Sequence, residues 1–201
     1  FSDFRYSKGS STDFLAFDNG MRSYNGSFGS VLNAVAGEGT VDLLGNGLNN
    51  DWHVKSRKPI GDLKIGSDWS RKWNVGGMKV GMVGALNYTN ETRAYKDMIN
   101  NLFGVYDVAN DRTNYLRKSV DNQYNNNVRI GAMLNFALLS RSGNNKYEFK
   151  NIFNQLSTDR YTDRTGVNAQ SDNEIGAEYY YRSRTTYNAQ FTGKHTLKSD
   201  V

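Results

Sequence analysis

The stretch Asn127-Val128-Arg129-Ile130-Gly131-Ala132-Met133-Leu134-Asn135-Phe136-Ala137-Leu138-Leu139-Ser140-Arg141 alternates with period two. Val128, Ile130, Ala132, Leu134, Phe136 and Leu138 fall on one side; Arg129, Gly131, Met133, Asn135 and Arg141 fall on the other. Successive side chains of a strand point to opposite faces, whereas a helix would scatter both sets around its circumference. This is therefore a β-strand with two unlike faces. Ser142-Gly143-Asn144-Asn145 follows as a tight, Gly-bearing turn. The alternation then resumes over residues 146–161, with Tyr147, Phe149 and Phe153 set against Lys146, Glu148, Lys150 and Asn154. Asn151 and Ile152 break it for one step, which reads as a bulge or a plain exception.

Working outward, three more segments share the period. Over 62–73, Leu63, Ile65, Trp69 and Trp73 oppose Asp62, Lys64, Asp68, Ser70 and Lys72. Over 78–95, Met78, Val80, Met82, Leu86 and Tyr88 oppose Lys79, Gly81, Ala85, Asn87 and Thr89. Over 175–191, Ile175, Ala177, Tyr179, Tyr181, Tyr187, Ala189 and Phe191 oppose Gly176, Glu178, Arg182, Arg184, Asn188 and Gln190. Asn74-Val75-Gly76-Gly77 and Thr192-Gly193-Lys194-His195 are further tight turns. Residues 96–126 and 162–174 read as long connections, and residues 7–58 as a long irregular stretch before the first clear strand. Short turns at one end of a meander and long connections at the other are what outer-membrane barrels show. Strands of fifteen to seventeen residues, at about 3.3 Å each and tilted near 45°, rise roughly 35 Å, more than the ~25 Å apolar band of such a barrel.

Composition agrees. The 201 residues include 13 Tyr, 10 Phe, 3 Trp and 20 Gly but one Pro, a mixture that suits strands and turns. No run approaches the 18 or so apolar residues a membrane helix needs, the best being the Gly-broken 80–86, which excludes helical spanning but not a barrel. Twenty-five Lys+Arg against twenty Asp+Glu leave a net charge of +5, interspersed rather than gathered into a stripe, which argues against nucleic acid as a partner. The absence of cysteine removes disulfides, thiolate metal sites and Cys nucleophiles. The chain opens on Phe1-Ser2-Asp3-Phe4 with neither an initiator Met nor an apolar leader, and reads as a piece of something longer.

The expected fold is all-β: an antiparallel up-and-down transmembrane β-barrel, of which this chain is part. Residues 1–58 are expected to form an extracellular loop region following an early strand, and 59–201 consecutive barrel strands. Val128, Ile130, Leu134, Phe136, Tyr179, Tyr181 and Tyr187 are the lipid-facing candidates, and the aromatics Trp69, Trp73, Tyr88, Tyr95, Tyr147, Tyr187 and Phe191 fall toward strand ends, as an interfacial girdle requires. Arg129, Asn135, Arg141, Glu148, Lys150, Glu178, Arg182 and Arg184 are the lumen-facing candidates. A soluble antiparallel sandwich would also use two unlike faces, but on shorter strands.

No enzyme is expected, nor any cofactor or metal. His53 and His195 are the only histidines and stand at opposite ends of the strand array; no serine sits in a nucleophile elbow, and Gly37-Glu38-Gly39 lacks the third glycine of a dinucleotide loop. Asp107, Asp111 and Asp121, or Asp159, Asp163, Asp172 and Glu174, match no calcium-loop spacing and read as solvated loop charge, although an outer-membrane Ser/His hydrolase and a loop Ca²⁺ site are the chemistries these residue types would allow.

Several strings carry a family resemblance. Ser11-Thr12-Asp13-Phe14-Leu15-Ala16-Phe17-Asp18-Asn19-Gly20-Met21-Arg22 resembles a segment that follows the plug in TonB-dependent outer-membrane receptors of Bacteroidota. Leu48-Asn49-Asn50-Asp51-Trp52, Ala85-Leu86-Asn87-Tyr88-Thr89-Asn90-Glu91, Tyr147-Glu148-Phe149-Lys150-Asn151 with Asn154-Gln155-Leu156, and Tyr181-Arg182-Ser183-Arg184-Thr185 are similar to that family in the same order. The resemblance implies a twenty-two-stranded barrel in the bacterial outer membrane, its lumen filled by a plug domain of the parent chain. It further implies energy from the TonB complex, contact with membrane lipid and a surface lipoprotein, and a small-molecule or oligosaccharide solute such as a metal chelate, cobalamin or glycan. No position here matches a residue-level binding motif of that family. A non-transporting surface-exposed or adhesive β-sheet protein is the alternative.

Overall fold

Alternating sequence becomes paired strand throughout the computed structural model, which describes residues 3–23, 51–59 and 61–197. The strands are β1 (Phe4–Ser7), β2 (Val54–Arg57), β3 (Leu63–Val75), β4 (Met78–Ile99), β5 (Leu102–Asp107), β6 (Arg112–Leu139), β7 (Asn145–Asn168) and β8 (Asn173–His195), with one 3₁₀ turn at Asp13–Leu15. Among the described residues there is no α-helix. The chain is all-β with antiparallel sheets: β1 pairs with β2, β3 with β4, and β5 with β6. The larger sheet runs β3-β4-β6-β7-β8, with β5 paired to β6 off that path, and among the described residues the strands do not close into a barrel. Gly37-Glu38-Gly39, the 48–50 string and the chain after Leu197 lie outside the described residues.

The β3–β4 register shows why these strands pair as they do. Thirteen residue pairs run from Leu63 opposite Asn90 to Val75 opposite Met78. Trp73 faces Val80, Ile65 faces Tyr88 and Ser67 faces Leu86, so the apolar rows of both strands share one side. The loop is the two residues Gly76 and Gly77, both with positive φ (57° and 82°), the backbone a two-residue hairpin of the right twist demands. Trp69 lies over Gly84, where an added Cβ would come within 2.3 Å of the indole. The glycine is the space the ring occupies, so Gly84→Ala is expected to displace Trp69 and cost about 1–3 kcal/mol, measurable by urea titration.

Two stretches read as long connections are largely strand. β4 continues to Ile99, β5 and the first half of β6 form a hairpin inside 96–126, and β7 and β8 extend until only residues 169–172 separate them. The reason is backbone pairing without an apolar signal. Thr113, Asn114, Lys118, Asn122 and Asn125 give no alternation, yet the Asn100 N–H donates to Ser119 O at 2.8 Å, and Asn168 Oδ1 accepts the N–H groups of Gln170 and Asp172 at 2.9 Å each. β7 also runs without a break through Asn151. Its ladder is locally replaced by a side chain: the Asn151 N–H donates to Asn135 Oδ1 (3.0 Å) and its amide donates to Leu134 O (3.1 Å).

The chain divides into two compact units, one of Phe1–Pro59, Ala94–Tyr124 and Arg160–Tyr179, the other of Ile60–Arg93, Asn125–Asp159 and Tyr180–Val201. The first has an aromatic core. Phe4 stands edge-on to Tyr124 at 5.6 Å, Tyr124 stacks with Tyr161, and Tyr161 leans on Tyr179, with Tyr6 and Ala94 packed against them. Beside it the Asp121 carboxylate, nearly buried, accepts two bonds from Arg164 (2.7 Å each) and one from the Asn100 amide (2.8 Å). The Arg164 hydrogen bonds hold its pKa below the ordinary carboxylate value against the opposing effect of burial. A depressed folded pKa stabilises fully above the unfolded value of about 3.9 and is lost as pH falls through the lower folded value. Asp121→Ala is therefore expected to cost about 2–3 kcal/mol at pH 7. The difference from the unchanged protein should shrink below about pH 4, read by hydrogen exchange of the Ser119 amide.

Candidate functional site: a wall with two faces

In the second unit each strand keeps its sequence alternation, so one face is apolar and the other charged. On the apolar face Leu134 and Phe136 are 38% and 37% exposed, and Tyr187 and Phe191 reach 63% and 69%. Tyr147 stacks on Phe191 (6.2 Å, 21°) and meets the His195 ring edge-on at 5.4 Å; residues 192–195, read from sequence as a tight turn, are instead the last residues of β8. Ile130 and Tyr181 are half-buried.

Two lipid-facing candidates are covered within the chain. Val128 is 1% exposed. Tyr179 belongs to the first unit's aromatic cluster: its hydroxyl donates to Trp52 O at 2.7 Å and its ring meets Trp52 at 5.3 Å. Alternation assigns a face but cannot tell whether a distant segment returns to cover it.

Sequence reading missed a polar seam on the apolar face between β7 and β8. Tyr187 Oη donates to Asn151 Oδ1 (2.7 Å), Gln155 Nε2 donates to Ser183 Oγ (2.7 Å), and Thr185 Oγ1 donates to Gln155 Oε1. Gln155 is fully buried. The broken step at Asn151 is the signal that could have found it: the misplaced amides of Asn151 and Gln155 are satisfied across the seam. Gln155→Ala is expected to leave Ser183 and Thr185 without these bonds and cost about 1–3 kcal/mol, checked by thermal unfolding.

The charged face carries the lumen-facing candidates. Glu148 takes both Lys146 (2.6 Å) and Lys150 (3.2 Å) along its own strand. Lys64 pairs with Glu91 at 2.9 Å and Arg93 with Asp62 at 2.6 Å. The Arg141 stem lies over Gly77, and Asn135 holds the Asn151 amide. Arg182 and Arg184 are exposed. Arg129, Arg184, Asn87 and Asn154 line one concavity of about 460 Å³. Glu178 belongs to the first unit, where it accepts from Arg160 (2.9 Å) and Thr162 (3.3 Å).

His53 bonds Asp51 (2.9 Å) and His195 bonds Asn145 (3.0 Å), both on the surface, and neither has a serine among its hydrogen-bond partners. Among the described residues no group of three His, Asp or Glu side chains could hold a metal ion. Asp107 is used in its own turn, accepting from the Asn110 amide at 2.7 Å and from Arg112 at 3.3 Å. Comparison with protein-family models, with curated proteins and with solved structures finds no match.

Proposed function

We propose that this chain is part of the barrel wall of a TonB-dependent receptor of the bacterial outer membrane, which takes up a scarce nutrient. One observation supports the reading above the others: in the second unit one face of β3, β4, β6 and β8 is mainly apolar over about ten residues or more, and it leaves Leu63, Ile65, Leu134, Phe136, Tyr187 and Phe191 exposed. Ten steps at about 3.3 Å per residue and 45° tilt, as over 128–138, rise roughly 23 Å, close to the ~25 Å apolar band of outer-membrane barrels. A soluble sheet with so much exposed apolar surface would need a second sheet over it. The path β3-β4-β6-β7-β8, sequence neighbours apart from the β5 hairpin, is the up-and-down order in which such a wall is built.

On this reading the charged face lines the lumen against the plug, the TonB complex supplies the energy, and a surface lipoprotein and a metal chelate, cobalamin or glycan meet the other end. The test is uptake by cells carrying the full-length protein, across siderophores, haem, cobalamin and oligosaccharides, with and without a collapsed proton-motive force. Energy-dependent uptake of one class supports transport; recovery of the protein outside the membrane fraction overturns it. The exposed β5–β6 hairpin, with Val105 84% exposed, favours a second reading as a non-transporting adhesive surface protein, for which binding to a surface would persist and uptake would be absent.

A further inference from the structure

The concavity on the charged face spans four strands. Its polar lining is Asn87 and Thr89 from β4, Arg129 from β6, Asn154 from β7, and Arg184 and Thr186 from β8. There is no carboxylate among its lining residues. Elsewhere on this face three acids have cations of their own: Asp62 has Arg93, Glu91 has Lys64, and Glu148 has Lys146 and Lys150. Arg184 makes neither an ion pair nor a hydrogen bond among the described residues, and Arg129 exerts only a through-space attraction on Glu91. The floor is kept low by Gly131, whose added Cβ would meet Asn154 Oδ1 at 3.4 Å and Asn87 at 3.9 Å.

Two uncommitted guanidinium groups, two carboxamides and two hydroxyls make a surface rich in donors. A guanidinium presents paired N–H groups that match the oxygens of a carboxylate or phosphate, and it stays charged at any physiological pH. Amide and hydroxyl side chains both donate and accept, which suits the hydroxyl groups of a polyol. The volume falls within the ~300–1,000 Å³ of small-molecule sites. Two apolar residues, Ile130 and Leu156, complete the lining, so no aromatic ring is offered to a ring ligand.

We propose that this surface binds a small hydroxylated oxyanion, with Arg129 and Arg184 holding its carboxylate or phosphate and Asn87 and Asn154 its hydroxyl groups. The site needs only the sheet, and it extends the transport reading by giving the solute an acidic group.

Titration calorimetry on the full-length protein in detergent, at about 150 mM salt where loose surface attraction is screened, is the test. The probes are citrate for a carboxylate source, glucose 6-phosphate for a phosphate source, and glucose as the neutral control. Binding of citrate or glucose 6-phosphate without glucose is expected, weakened at least tenfold by Arg184→Ala and abolished by the Arg129→Ala/Arg184→Ala pair. Arg184→Lys should recover only part of the affinity, because an ammonium lacks the fork. Circular dichroism on each variant reports the sheet; should the double variant fail to fold, Asn154→Ala, expected to weaken binding severalfold, replaces it. Absence of binding by both anions, or equal affinity in the unchanged and Arg184→Ala proteins, overturns the site, as does full recovery by Arg184→Lys. Energy-dependent uptake of a solute unaffected by these variants would leave the transport reading standing while removing this one; binding without uptake would do the reverse.

Discussion

Arginine in place of Leu134 is expected to prevent stable insertion into lipid, at a cost of roughly 2–4 kcal/mol, while Arg182→Ala on the opposite face changes folding by no more than about 0.5 kcal/mol. Leu134 sits near the centre of the 128–138 row, between Ala132 and Phe136, so its replacement would carry a charge to the depth at which hydrocarbon offers it nothing. Arg182 lies on the charged side of β8, and its loss removes a solvated group. Refolding of the full-length protein into lipid vesicles under a urea titration measures both. Equal effects, or a larger one at Arg182, would reverse the two faces or take the wall out of lipid altogether.

Replacing residues 102–116 by two glycines is expected to abolish uptake, by at least about tenfold, with the protein still inserted, because loops and hairpins on a rigid scaffold carry recognition. The boundaries follow from the structure. β5 pairs only with β6, and Leu102 stands opposite Arg117, so the hairpin can be cut across one pair. A deletion reaching 122 would also remove Asp121 and with it the bonds to Arg164 and Asn100, confounding recognition with folding. Solute uptake and outer-membrane content are measured on the same cells; unchanged uptake would reject the role.

What the sequence disclosed and what it hid differ for physical reasons. Strands with a solvent-unlike face announce themselves, so Leu63, Val80, Ile130 and Phe191 place β3, β4, β6 and β8 without help. The first half of β6 has polar residues on both sides, and its strand state rests on backbone bonds and on Asp121 with Arg164, 43 positions apart. Tyr179 reads like Tyr187 because alternation is blind to Trp52, 127 positions earlier. Alternation puts Arg129 and Arg184 among the polar residues of their strands, yet their meeting with Asn87 and Asn154 depends on register across four strands, and a slip of one residue would turn a whole row away.

The two glycines between β3 and β4 bear on how such a sheet comes into being. A loop of two residues closes at almost no entropic expense, and the thirteen pairs that follow fasten one after another from Val75–Met78 outward, as teeth of a zip fasten from the slider. The chain has no need to search for a remote partner here, so this hairpin can be complete before the later strands pair. Each completed strand then offers its free edge to the next arrival. The β3-β4-β6-β7-β8 order thus lets this sheet grow in the order of the sequence, and the Gly76–Gly77 hairpin can close without waiting for any later strand.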